Sequence, residues 1–111
     1  MGYSILVAED NEINIMLARA IIAAVLPGIS IIEARDGVQA VTLFKYFSPD
    51  LVLMDIQMPE KDGYAAAGEI RKLEAAARAD ARRSILIALT GGTVVGEKQR
   101  CLAAGFDDYI A

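Results

Sequence analysis

The sequence predicts a doubly wound α/β domain built on a parallel sheet. Short apolar runs alternate along the chain with stretches whose apolar residues recur at helical spacing. Three of the runs, Ile5 to Ala8, Leu51 to Met54 and Ile85 to Leu89, are apolar at consecutive positions, a pattern expected of strands covered on both faces. At 111 residues the chain suits one domain, and no repeat, low-complexity tract or Gly/Ser linker divides it. Parallel neighbours require right-handed crossovers. Periodicity alone leaves the strand order open.

Ile5-Leu6-Val7-Ala8 is too short for a helix and ends in Glu9-Asp10, so it reads as the first strand. Asn11 can cap the helix that follows, in which Ile13, Met16, Leu17, Ala20, Ile21 and Ala24 recur until Pro27-Gly28 stops them. Ile29 to Ala34 includes Ser30 and Glu33, which suits a half-exposed edge strand. Asp36-Gly37 is a turn, and Ala40, Val41, Phe44 and Phe47 mark a second amphipathic helix that Pro49 ends. Leu51 to Met54 runs straight into Asp55. After a loop with Met58-Pro59 and Asp62-Gly63, a third helix shares Ala66, Ile70, Leu73 and Ala77 on one face. It is expected to extend through Leu73 to Arg83, with Glu74, Arg78, Asp80, Arg82 and Arg83 as solvated charge. The run Ile85 to Leu89 ends at Thr90-Gly91-Gly92. A weaker helix with Val95 and Leu102 closes at Gly105, and Asp108-Tyr109-Ile110-Ala111 begins a last strand.

Composition narrows the function classes. With 55% hydrophobic and 23% charged residues the chain is neither disordered nor collagen-like. Mean hydropathy is high at +0.38, yet charges interrupt every apolar stretch before the roughly 18 residues a membrane span needs. Met1-Gly2 lacks the Ser or Thr of a myristoylation signal, because Leu6 stands there. A single cysteine, Cys101, cannot form an internal disulfide, and no signal peptide precedes it, so a cytoplasmic protein is expected. Cys101 itself reads as a small buried or half-buried thiol. Eleven basic against fifteen acidic residues give a net charge of −4, which argues against nucleic acid as a direct partner. The absence of histidine removes His-based triads, most zinc sites and phosphohistidine chemistry carried by this chain.

The chemistry collects at the carboxyl ends of the strands, where ligands of open α/β sheets bind. Glu9 and Asp10 follow the first strand, Asp55 the third and Thr90 the fourth. Any one carboxylate could be an ordinary loop-facing residue, but three together repel unless a cation neutralises them. Oxygen donors without His or Cys favour a hard ion, and Mg²⁺ fits best because it keeps waters for a phosphate partner. A carboxylate beside such an ion can attack phosphorus and form an aspartyl phosphate. Thr90 then reads as a hydroxyl donor to a phosphoryl oxygen, and Gly91-Gly92 as backbone free to approach it.

These residues resemble a known family. Glu9-Asp10-Asn11, Asp55 with Met58-Pro59 and Asp62-Gly63, Thr90, and Ala104 to Ile110 occur in the order and spacing of the receiver domain of two-component response regulators. The wording of Glu9-Asp10-Asn11 with Asn14, and of Ala104 to Ile110, is most similar to receivers of hybrid sensor kinases. The resemblance implies a flavodoxin-like five-stranded sheet of order 2-1-3-4-5. It implies Asp55 as acceptor of a phosphoryl group from a histidine kinase or histidine phosphotransfer domain, in a phosphorelay without direct membrane contact. Asp10, Asp55 and the backbone carbonyl of Gln57 would hold Mg²⁺, with Glu9 acting mainly through water. Thr90 and Tyr109 match the switch pair, and the domain would catalyse its own phosphorylation and dephosphorylation.

The family carries a lysine just after the last strand and then a closing helix, whereas this sequence ends at Ala111. A receiver over residues 1–111, truncated at its C-terminus, is therefore the expectation, with self-association as one way to shield Ile85 to Leu89 and Tyr109-Ile110. Competing readings fare less well. A haloacid-dehalogenase-type phosphatase wants a second aspartate two residues after the nucleophile, where Gln57 stands. A cobalamin module wants a histidine. A pseudo-receiver that only binds partners is the alternative that the intact carboxylate set argues against.

Overall fold

The computed structural model describes residues 3–77, 83–90 and 96–110. Among them, five strands alternate with four helices: β1 (Ser4–Ala8), α1 (Glu12–Val25), β2 (Ser30–Ala34), α2 (Gly37–Phe47), β3 (Leu51–Asp55), α3 (Gly63–Ala76), β4 (Ile85–Leu89), α4 (Glu97–Ala104) and β5 (Asp108–Ile110). All strand pairs are parallel and the order is β2-β1-β3-β4-β5. That is the doubly wound, flavodoxin-like arrangement. Gly91-Gly92, Val95, Arg78, Asp80, Arg82, Met1-Gly2 and Ala111, each used in the sequence reading, lie outside the described residues.

The helices start where short polar side chains can take up orphan amides. Asn11 Oδ1 accepts from the amides of Ile13 (2.9 Å) and Asn14 (3.2 Å), Asp36 from Gln39 (2.7 Å) and Asp62 from Ala65 (2.9 Å). At their ends, Ser48 turns left-handed ahead of Pro49, and Gly105 closes α4 at φ 118°, a conformation that suits glycine.

The two faces of the sheet are unequally covered. On one, α2, α3 and α4 pack Ala40, Phe44, Ala66, Ala67, Ile70 and Cys101 onto Leu6, Ala8, Val52, Met54, Leu86 and Ala88, all buried. On the other, Ile22 of α1 is buried against Ile5 and Val7, with Leu51 and Leu53 partly covered. Burial on both faces therefore holds throughout only for the central apolar run in β1. In β4 Ile85 is exposed and Ile87 and Leu89 are half-buried, because among the described residues α1 is the helix on that face and it packs over β1.

Three expectations need correction. The apolar series of α1 points to solvent: Ile13 is 74% exposed, and Met16, Leu17, Ala20, Ile21 and Ala24 are exposed as well, while Ile15 and Ile22 are buried. The helix is apolar nearly all round, so spacing alone finds more than one stripe and the sheet selects the burying one. The third helix ends at Ala76, leaving Ala77 as its cap. Glu74 is not solvated charge either, because it accepts from Arg71 (2.6 Å) and from the amide of Ser84 (2.7 Å). Finally, α4 buries Cys101, whereas Leu102 is exposed.

Candidate metal and phosphoryl site

The carboxyl ends of β1 and β3 are adjacent in the sheet, with Ala8 beside Met54, so the residues that follow them share one edge. The ladder carries on past the strands and holds that edge in place. The amide of Glu9 donates to Ala34 O (2.9 Å), that of Ile56 to Leu89 O (3.3 Å) and that of Thr90 to Ile110 O (2.9 Å). The turn after Asp55 then folds back, with the amide of Gln57 donating to Asp55 Oδ1 (3.3 Å) and that of Gly63 to Ile56 O (2.7 Å). This return requires glycine, since a Cβ on Gly63 would lie 2.6 Å from Asp55 O.

Glu9, Asp10 and Asp55 each place one carboxylate oxygen so that the three lie within 4.8 Å of one another. Glu9 is buried, Asp55 half-buried and Asp10 exposed. Glu9 Oε1 accepts from the amide of Asn11 (3.1 Å) and from Asn14 Nδ2 (3.4 Å). Among the described residues, no ion pair reaches any of the three carboxylates; the arginines and lysines of the ion pairs all engage other acids. Burial is the main cause that raises the Glu9 and Asp55 carboxyls above their ordinary values. The charge of Asp55 adds to the rise at Glu9, and that of Asp10 to the rise at Asp55. The donor set is all oxygen, crowded, open on the Asp10 side and short of positive charge. A small hard cation fits it.

Thr90 is buried and lines the same groove as Glu9, Asn14 and Asp55, along with Leu17, Ile21, Leu89 and Ile110. Tyr109 sits elsewhere. It is half-buried against the core formed with α2, α3 and α4, on the opposite face of the sheet from that groove. Asn14 is a member of this site whose contact the sequence reading did not supply. Its offset of five from Glu9 around a helix cap was the available signal.

Residues 5–111 match the response regulator receiver domain family. The peroxide stress-activated histidine kinase mak1 of Schizosaccharomyces pombe is 37% identical to this chain over 113 residues, which cover 99% of the chain and 7% of that protein. The chain thus spans a small part of that relative. Among solved structures, the Mg²⁺-coordinating receiver domain of sensor histidine kinase PA1611 from Pseudomonas aeruginosa PAO1 is 36% identical, with a TM-score of 0.81 over 100% of this chain and 85% of that one. A chain in the co-crystal structure of Saccharomyces cerevisiae Ypd1, a histidine phosphotransfer signaling protein, with the receiver domain of Ssk1 is 30% identical. It superposes with a TM-score of 0.87 over 98% of this chain and 77% of that one. Fold, ordered motifs and family match agree: the chain belongs to the response regulator receiver domain family.

Proposed function

We propose that this domain receives a phosphoryl group on Asp55 from a phosphohistidine carried by a partner protein, a histidine kinase or a histidine phosphotransfer domain, in a cytoplasmic phosphorelay. The observation that carries the reading is the cluster of Glu9, Asp10 and Asp55, three carboxylate oxygens within 4.8 Å with, among the described residues, no basic side chain paired to them. Asp10, Asp55 and the Gln57 carbonyl would hold Mg²⁺, and Glu9 would act mainly through water. When bound, the ion neutralises the charge that otherwise accumulates between the carboxylates and the phosphoryl oxygens.

An Asp55 carboxylate oxygen attacks phosphorus while the bond from phosphorus to the partner's imidazole nitrogen breaks. The electron pair leaves with the nitrogen, and a proton already carried on the other ring nitrogen of the partner's phosphohistidine makes the released histidine a neutral imidazole. Glu9 and Asn14 define the inner wall of the pocket, and the Gln57 amide holds Asp55 Oδ1 in place. Thr90, on the same groove, would donate its hydroxyl to a phosphoryl oxygen, and Tyr109 would answer from the opposite face as the second switch residue. The similarity to chains from a Mg²⁺-coordinating receiver and a phosphotransfer complex supports this assignment. Among the described residues no helix is long and apolar enough to cross a membrane.

Asp10→Asn provides the test. The variant should fold normally, since Asp10 is exposed, but bind Mg²⁺ weakly and lose metal-dependent phosphoryl uptake from acetyl phosphate. Uptake at the wild-type rate would overturn the metal assignment.

A further inference from the structure

Glu9 is a buried carboxylate among other acids, and neutral groups hold it. The amide of Asn11 (3.1 Å) and Asn14 Nδ2 (3.4 Å) both donate to its Oε1, and neither bonds Oε2. Among the described residues no ion pair reaches Glu9. A glutamate gives up much rotamer freedom when it is ordered, and donors already in place offset that cost.

The Asn14 donor has a local origin. Asn11 is the N-cap of α1, so Asn14 is the third residue of the helix. In a capping box that residue is Glu or Gln, whose side chain accepts from the N-cap amide. Here Glu9 takes the N-cap amide instead. The third helical position is thereby released for a side chain that donates, and a glutamate there would set a further carboxylate against Glu9. The backbone amide of Asn14 is bonded to Asn11 Oδ1 (3.2 Å), which fixes the base of the side chain. Asn14 is exposed, yet it lines the groove that holds Asp55 and Thr90.

We propose that Asn14 is a positioning residue, which holds the Glu9 carboxylate ready to receive a water carried by the bound cation. This rests on the metal and phosphoacceptor reading above. A lysine or arginine in the same place would also hold Glu9, but its charge would oppose the cation. The amide holds the carboxylate and leaves its charge intact. Asn14 touches no reacting atom and acts through Glu9. Removing a group that orients a metal site in this way ordinarily costs about 10–100-fold in affinity.

The test is Mg²⁺ affinity, read by NMR titration of the whole chain with Mg²⁺ alone. Asn14→Leu should fold, since position 14 is exposed and leucine favours helix. It should bind Mg²⁺ about tenfold more weakly than the wild type. Glu9→Ala should also bind more weakly, but still measurably because Asp10 and Asp55 remain. In that background Asn14→Leu should change the affinity by no more than about twofold, the ordinary scatter of additivity. A helix-capping role alone would lower the melting temperature of Asn14→Leu at wild-type Mg²⁺ affinity, and that result would overturn the proposal. An equal loss of affinity with and without Glu9 would overturn it too, because Asn14 would then not act through Glu9. A wild-type chain that binds no Mg²⁺ would instead overturn the metal reading, and the proposal with it.

Discussion

Asp55 and Glu9 set the electrostatic character of the molecule at the residue scale. Their carboxyls are raised by burial and by neighbouring acids, so the folded state holds protons to higher pH than the unfolded chain does. The stabilising effect of holding those protons is present at low pH. It is lost as pH rises from the ordinary carboxylate range through the raised folded values. Asp55→Asn removes one charge from this crowd, so the metal-free variant should melt at a higher temperature than the wild type near neutral pH. The gap should shrink towards pH 4 and should also shrink when Mg²⁺ is added to the wild type. A thermal melt series across pH checks this, and a variant less stable than metal-free wild type at pH 7 would contradict it. The carboxylates were legible in the sequence because each follows an apolar run. Asn14 was harder to read, since its contact depends on how the cap at Asn11 turns α1 over Glu9.

Arg71 plays the corresponding part among the elements. From α3 it donates to Gly105 O (2.8 Å), Glu74 (2.6 Å), Ser84 O (2.9 Å) and Asp107 (2.7 Å), and Asp107 in turn accepts from the amide of Leu86 (2.9 Å). One half-buried guanidinium thereby ties α3 to the start of β4 and to the α4–β5 turn. Arg71→Met should lower stability by about 3 kcal/mol, because it leaves Glu74 and Asp107 without this partner. Urea unfolding would show it as a lower midpoint at unchanged slope. Nothing in the local pattern announces such a hub, because an arginine beside Ile70 reads as the polar border of an amphipathic helix. The same limit affected α1, whose exposed apolar series matches helical spacing as well as its buried one does. Ile22→Ala should cost about 2–5 kcal/mol, while Met16→Lys on the solvent side should stay within about 0.5 kcal/mol. Equal losses in denaturant titrations would place the wrong face of α1 against the sheet.

For the whole molecule, alternation of strands and helices gave the architecture, but not the strand order. A parallel sheet can be wound several ways with the same periodicity, and the order came from the family resemblance before the sheet displayed it. The uneven cover of the two faces is partly legible: of Ile85 to Leu89 and Tyr109-Ile110, all expected to lose cover, Ile85 and Ile110 are exposed and Ile87, Leu89 and Tyr109 half-buried, whereas Leu86 and Ala88 are fully buried. The extent to which α1 leaves its own apolar surface in solvent depends on tertiary packing that spacing does not encode. What the topology does for function is to bring the ends of β1, β3 and β4 to one edge, so that acids far apart in sequence meet beside Thr90.

The most direct test of that arrangement is the site and metal dependence of phosphoryl transfer. The chain is incubated with acetyl phosphate and Mg²⁺, its intact mass is measured, and the modified peptide is mapped. The expected result is the gain of one phosphoryl group, stable to acid and labile to base, on the peptide containing Asp55, absent with a chelator and absent in Asp55→Asn. A wild-type protein that gains no mass, or gains it at another residue, would contradict the account.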